Sequence, residues 1–166
     1  MSGRAGLVVL VSLGLVLAAC TPARQLDATF ESDEALARAV LDSINRSDGA
    51  GLLALAVTRE EFADIVWPTL RVSRPEVGMP FDYVWDDTFS KSRNHLIQTL
   101  AEHGGRRYEL ERLEFGGAVT EHATHTIARA AGLVVRDETG RQRRLRLFGS
   151  IIRQGGRSKV LSYIVD

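Results

Sequence analysis

The chain has 166 residues, with 21 Lys and Arg against 21 Asp and Glu and an apolar share of 45%. That length and composition describe one globular domain rather than a disordered or fibrous chain. The balanced charge leaves no whole-molecule field to draw the protein to nucleic acid or an anionic surface, and a single cysteine, Cys20, excludes an internal disulfide.

The first segment has the layout of an export leader. Arg4 supplies a positive charge, Leu7 to Leu17 form an apolar run, and Ala18-Ala19 are small residues at a cleavage point. The run is too short to span a bilayer, which takes about 20 residues. Leu17-Ala18-Ala19-Cys20 resembles the lipobox of bacterial lipoproteins. That resemblance implies removal of residues 1–19 and a lipid (a diacylglyceryl group with a further acyl chain such as palmitate) on Cys20. It implies a cell-envelope protein held on a membrane through its lipid anchor. Thr21 is unlike an inner-membrane retention signal, which points to the outer membrane where a host has one. Residues 20–31 then read as a lipidated polar tether and 32–166 as the domain.

Ser32 reads as the cap of a first helix, with Asp33 and Glu34 in its first turn and Leu36, Val40, Leu41 and Ile44 on one face. Asn45 to Gly51 breaks it, and a short helical piece follows over Leu52–Ala56. Thr58-Arg59-Glu60-Glu61 has the spacing of a capping box, with Val57 and Phe62 placed as its hydrophobic staple. That helix should stop near Trp67, because Pro68 follows. Phe81, Tyr83 and Trp85 alternate with Asp82, Val84 and Asp86, which predicts an extended stretch with three aromatics on one face and the two acids on the other. A longer helix is expected from Asp87 or Thr88 to Gly104-Gly105, with Phe89, Arg93, Leu96, Ile97 and Leu100 along one side.

Strand patterns follow. Tyr108 and Leu110 share one phase, Leu113 and Phe115 the other, so a bulge is expected near Glu111 or Arg112. Val119 to Val135 reads as one long strand, Asp137–Gly140 as a turn, Leu145–Ile152 as a strand, Gln154-Gly155-Gly156 as a turn, and Lys159–Val165 as the last strand. Helices first and an antiparallel meander last make an α+β fold. This element order resembles the NTF2-like (SnoaL-like, cystatin-like) superfamily. The resemblance implies N-terminal helices packed on a curved antiparallel sheet of about four strands, enclosing a conical pocket.

Candidate sites are few. Gly49–Ala54 formally fits a dinucleotide fingerprint, but a helix rather than a strand precedes it, so no nucleotide cofactor is expected. His122 and His125 sit three apart on the expected strand, on opposite faces, and nothing completes a metal site. The odd-numbered face of that strand carries Glu121, His125 and Arg129 among apolar residues. Within the resemblance these would look into the cone, with Trp67, Phe81, Tyr83 and Trp85 walling its opening. Such a pocket suits a small amphipathic ligand. An enzyme of the SnoaL type, using groups such as His125 and Asp82, is the alternative. A basic run, Arg141, Arg143, Arg144, Arg146, Arg153, Arg157 and Lys159, has no acid among it. It reads as edge protection, as a surface near anionic headgroups, or as the meeting face for another envelope protein. No catalytic residue is assigned, and nucleic acid is not an expected partner.

Overall fold

The computed structural model describes residues 24–165, so the leader and Cys20 lie outside the described residues. The fold is α+β, with its helices in the first part of the chain and two antiparallel sheets in the second. Helix α1, Asp33–Asn45, starts where Ser32 Oγ accepts the Ala35 amide at 3.1 Å. It buries Leu36, Val40, Leu41 and Ile44, the face read from the sequence. Helix α2 spans Gly49–Ala54, capped by Asp48, and begins three residues earlier than expected.

The Thr58 capping box is formed on both sides. Glu61 N donates to Thr58 Oγ1 at 3.2 Å, and Thr58 N donates to Glu61 Oε2 at 2.7 Å. The helix it opens, α3 at Arg59–Glu61, widens into a π-helical turn over Phe62–Val66 and tightens into a 3-10 turn over Trp67–Thr69. Pro68 lies in that last turn and the chain leaves the helix at Leu70.

Helix α4 runs from Phe81 to His103, six residues earlier than expected. Phe81, Tyr83 and Trp85 are therefore helical, not extended. Phe81, Trp85 and Phe89 are four apart, so they share a helix face that Tyr83 leaves. Phe81 and Trp85 pack on Phe62 with ring centroids 6.2 and 5.4 Å away, and Tyr83 is 63% exposed. For its length α4 is poorly seated: Leu96 is the residue it buries fully.

The strands are β1 Tyr108–Phe115, β2 Val119–Glu121, β3 Thr126–Arg129, β4 Ala131–Asp137, β5 Gln142–Leu145, β6 Ser150–Gln154 and β7 Arg157–Ser162. They pair as a three-stranded sheet, β1-β4-β5, and a four-stranded sheet, β2-β3-β6-β7. The expected bulge in β1 is present between Leu110 and Arg112. The long strand expected over Val119–Val135 is instead three pieces. A turn at residues 122–125 closes a hairpin in which Glu121 faces Thr126, and Ala130, at φ 54°, separates β3 from β4.

The break at Ala130 reorients everything upstream of it. Register partners share a face: Ala128 sits opposite Ile151, and Ile127 opposite Ile152. Ile151 belongs to the main core, with Ala131, Leu133, Val135, Leu36 and Val40. Ile152 belongs to a second core, with Leu26, Val57, Phe62, Ile65 and Val66. The odd positions of β4 thus face the main core while Ile127 faces the other side. One residue in the left-handed region has flipped the phase, as a bulge does.

The two sheets join at this level. Gly116 and Gly117 donate their amides to the carbonyls of Ala130 and Arg129 at 3.0 and 3.2 Å, and Ala131 N donates to Gly149 O at 3.2 Å. Gly149 is required there: a Cβ would lie 1.6 Å from the Ile164 carbonyl oxygen. The β6–β7 turn follows the sequence reading, with Gly155 and Gly156 both at positive φ.

Residues 24–30, expected as free tether, are docked along β6 and β7. Leu26 N donates to Gln154 Oε1 at 2.8 Å, and Phe30 exchanges backbone hydrogen bonds of 2.9 and 2.8 Å with Ser158. Arg157 donates to the Thr29 hydroxyl and carbonyl at 2.6 and 2.7 Å. Beneath this strap lies a fully buried ion pair. Lys159 Nζ donates to both Glu61 oxygens at 2.9 and 2.8 Å and to Asp27 O at 2.9 Å. Burial pushes the Glu61 carboxyl up, but hydrogen bonds from Lys159, Thr58 N and Asp27 N outweigh it, so the group titrates below its ordinary range.

Candidate functional site: an apolar cavity under helix α4

The face of β3, β6 and β7 that carries Ile127 and Leu161 is not fully covered. The turn after α3 contributes Phe62, Val66 and Leu70, and α4 contributes Val84 and Thr88; between them lies a cavity of about 310 Å³. A second space of about 170 Å³ adjoins it along α4, bounded by Leu53, Val57, Trp85, Phe89 and Ser92. The two share Phe62, Thr88, Leu161 and Ser162 as a common wall. The cause is the poor seating of α4. Its inward residues Val84, Thr88 and Ser92 are small, so they bridge to β7 without filling the gap. Ser92 Oγ does accept the Tyr163 amide at 2.9 Å, which fixes the helix at one end of the groove.

Polar groups occupy one end of the floor. Arg129 is the register partner of Ser150, and Ser150 of Ser162, so the three form a row across β3, β6 and β7 beside the apolar residues. Arg146 lines the same cavity from the β5–β6 connection. Among the described lining residues there is no Asp, Glu, His, Cys, Lys or Tyr. Both arginines are exposed, and neither guanidinium has a hydrogen-bond or ion-pair partner among the described residues.

That isolation is unusual for this sheet. Of the basic run, Arg143 bonds Asp137 at 2.8 Å, Arg144 meets Glu114 at 3.2 Å, and Arg153 holds Asp33 at 2.9 Å. Arg157 is bound to Thr29, and Lys159 is buried against Glu61. The run reads as solvated charge along the sequence, but most of it is neutralised within the fold. Apart from Asp137 at the end of β4, its partners lie in strap, helix and β1 residues distant along the chain. Asp137 also accepts the Thr139 hydroxyl, and with the Arg143 bond this holds its carboxyl far below the usual carboxylate range.

The sequence candidates separate into two groups. Arg129 lines the main cavity, and Trp85 lines the adjoining one. Phe81 is packed edge-on by Trp67 at 5.4 Å and covered by the Arg59 guanidinium at 5.0 Å, so both aromatics brace the outer side of the cavity wall. Tyr83 is on the exposed face of α4, and Glu121 is exposed at the hairpin. His125 is buried but lies in the 122–125 turn, where its ring stacks on His122 with centroids 4.6 Å apart. The expectation that these histidines point to opposite faces assumed a strand; the turn brings them together. Burial and the neighbouring His122 hold His125 below its ordinary pKa, and its Nε2 has no partner. Asp82 is paired with Arg59 on the surface. Neither His125 nor Asp82, the groups named for an enzymatic reading, lines the cavity.

Val66, Leu70, Val84, Leu161 and Arg146 are among the lining residues that sequence reasoning did not place at a site, Arg146 being visible only as one of many arginines. Ile127 shares the odd-numbered strand phase of Arg129, and Phe62 belongs with Trp67 and Trp85 to the aromatic group of the sequence. No group of three or more metal-ligating side chains is clustered among the described residues. No protein-family model, curated protein or solved structure matches the chain.

Proposed function

We propose that the protein is a lipid-anchored cell-envelope lipoprotein whose NTF2-like domain holds a small amphipathic ligand in the cavity under α4. The observation that carries the ligand reading is the cavity itself, about 310 Å³ with an apolar floor and polar groups at one end. Helices first, then antiparallel strands in two sheets, support the fold-family reading. The order of charge, apolar run, small residues and Cys20 supports the anchor.

The docked strap gives the anchor a consequence. Only Thr21, Pro22 and Ala23 separate Cys20 from Arg24, whose carbonyl already accepts from Gln154 Nε2 at 3.1 Å. Four extended residue steps reach about 14 Å. An acylated Cys20 would hold the β6–β7 edge against the headgroup layer, not on a long leash. The ligand would then be of the kind a membrane surface supplies.

Two measurements test the proposal separately. Mass spectrometry of the membrane-extracted protein should find a lipid-modified Cys20 as the first residue; an unmodified N-terminus elsewhere removes the anchor. An uncharged alkyl diazirine should label Phe62–Leu70 and Val84–Ser92 peptides, and Ile127→Trp, which fills the cavity floor, should abolish that labelling. Labelling indifferent to Ile127→Trp removes the ligand reading.

A further inference from the structure

We infer that the ligand is an anionic amphipath, its single apolar chain lying along the groove under α4 and its oxyanion headgroup held by Arg129 and Arg146. This rests on the ligand reading above and adds the sign and place of the headgroup charge.

No acidic residue among the described residues lines the cavity, while Arg129 and Arg146 do. Elsewhere on the two sheets, carboxylates or strap oxygens satisfy arginines at β1, β4, β5, β6 and β7. Arg129 and Arg146 are left open where an apolar wall meets water. Guanidinium groups offer forked donors suited to carboxylate and phosphate, and low-dielectric walls beside them strengthen the attraction. The row Arg129–Ser150–Ser162 adds hydroxyl donors at the same end of the floor. A cationic headgroup would meet two like charges, and an uncharged one would leave both unused.

Shape gives the second half. The apolar space continues from the main cavity past Phe62 and Leu161 toward Phe89 and Leu53, away from the arginine row. Phe89 and Leu53 are each 40% exposed at that far end. A slender chain fits such a groove better than a compact ring system. Apolar surface at one end and cationic groups at the other specify polarity as well as class.

The test uses the full-length protein in phosphatidylcholine nanodiscs, which avoids detergent competing for the cavity. Four twelve-carbon diazirine probes carry carboxylate, phosphate, hydroxyl or trimethylammonium headgroups, and labelled peptides are mapped by mass spectrometry. The carboxylate and phosphate probes should label the cavity peptides about tenfold or more above the hydroxyl probe. The trimethylammonium probe should label least. Arg129→Gln with Arg146→Gln should remove the anion preference while leaving hydroxyl labelling within about twofold. Equal labelling by all four probes would overturn the inference and leave the ligand reading standing. Absence of cavity labelling by any probe would overturn both. Preference for carboxylate over phosphate, or the reverse, identifies the headgroup. Retention of the anion preference in the double variant would refute the assignment to these two arginines.

Discussion

Lys159 and Glu61 provide the sharpest test of how the strap is held. Lys159 is 1% exposed and Glu61 is 0% exposed, and all three ammonium protons are used, two on Glu61 and one on Asp27 O. Lys159→Met leaves a buried carboxylate supported by the Thr58 and Asp27 amides alone. Glu61→Leu leaves a buried ammonium with the Asp27 carbonyl as its remaining acceptor. Breaking a buried pair from one side costs about 3–5 kcal/mol, and about 1 kcal/mol more is at stake in Glu61 because it closes the capping box. In a domain of this size that is a fall of roughly 10 °C in Tm. The double variant Lys159→Met with Glu61→Leu removes both charges, so its cost should be at least about 2 kcal/mol less than the sum of the single changes. Urea denaturation of the four proteins at neutral pH gives the cycle directly. Singles that each cost under about 1 kcal/mol and add would mean a solvated pair and a strap that is not fixed by it.

Four further outcomes follow from the same geometry. Glu61 has a lowered folded pKa, so the unfolded chain binds the proton more readily; its contribution is full above the ordinary carboxylate range and lost as pH falls through the folded value, visible as a drop in Tm at acid pH that is smaller in Glu61→Gln. His125 is likewise lowered, which places a loss of stability below about pH 6.5, reduced in His125→Phe to the share that the lowered His103 carries. Gly149→Ala should displace Ile164 and Val165 from the cavity wall and destabilise the domain by several kcal/mol, read by urea denaturation; a cost under about 1 kcal/mol would contradict the close approach at that site. Ala130→Gly should stabilise by about 1 kcal/mol, since it relieves left-handed strain on an alanine.

The parts of the fold readable from sequence are those with local causes. Ser32, the Thr58–Glu61 box, the β1 bulge and the Gly155-Gly156 turn each depend on residues within a few positions, and each formed as expected. The parts that escaped depend on partners far along the chain. Phe81, Tyr83 and Trp85 fit a period of two, yet Phe81, Trp85 and Phe89 also fit the helical period; Phe62 and Trp67 decide between them by packing on the helical face. Residues 122–125 turn without Gly, Pro, Asn or Asp, and Ala130 adopts a conformation its side chain disfavours, so neither announces itself. The candidate site was half legible for the same reason. Arg129 was placed at it by strand phase, whereas the phase flip at Ala130 and the pairing of neighbouring arginines are tertiary facts.

Native mass spectrometry of the protein released from its own membranes bears most directly on the central claim, that the space under α4 holds an amphipath. The wild-type protein should carry a bound species of lipid-like mass beyond its covalent anchor, and Ile127→Trp, folded and anchored alike, should lose it. Identical spectra from the two proteins, with no bound species in either, would contradict the account.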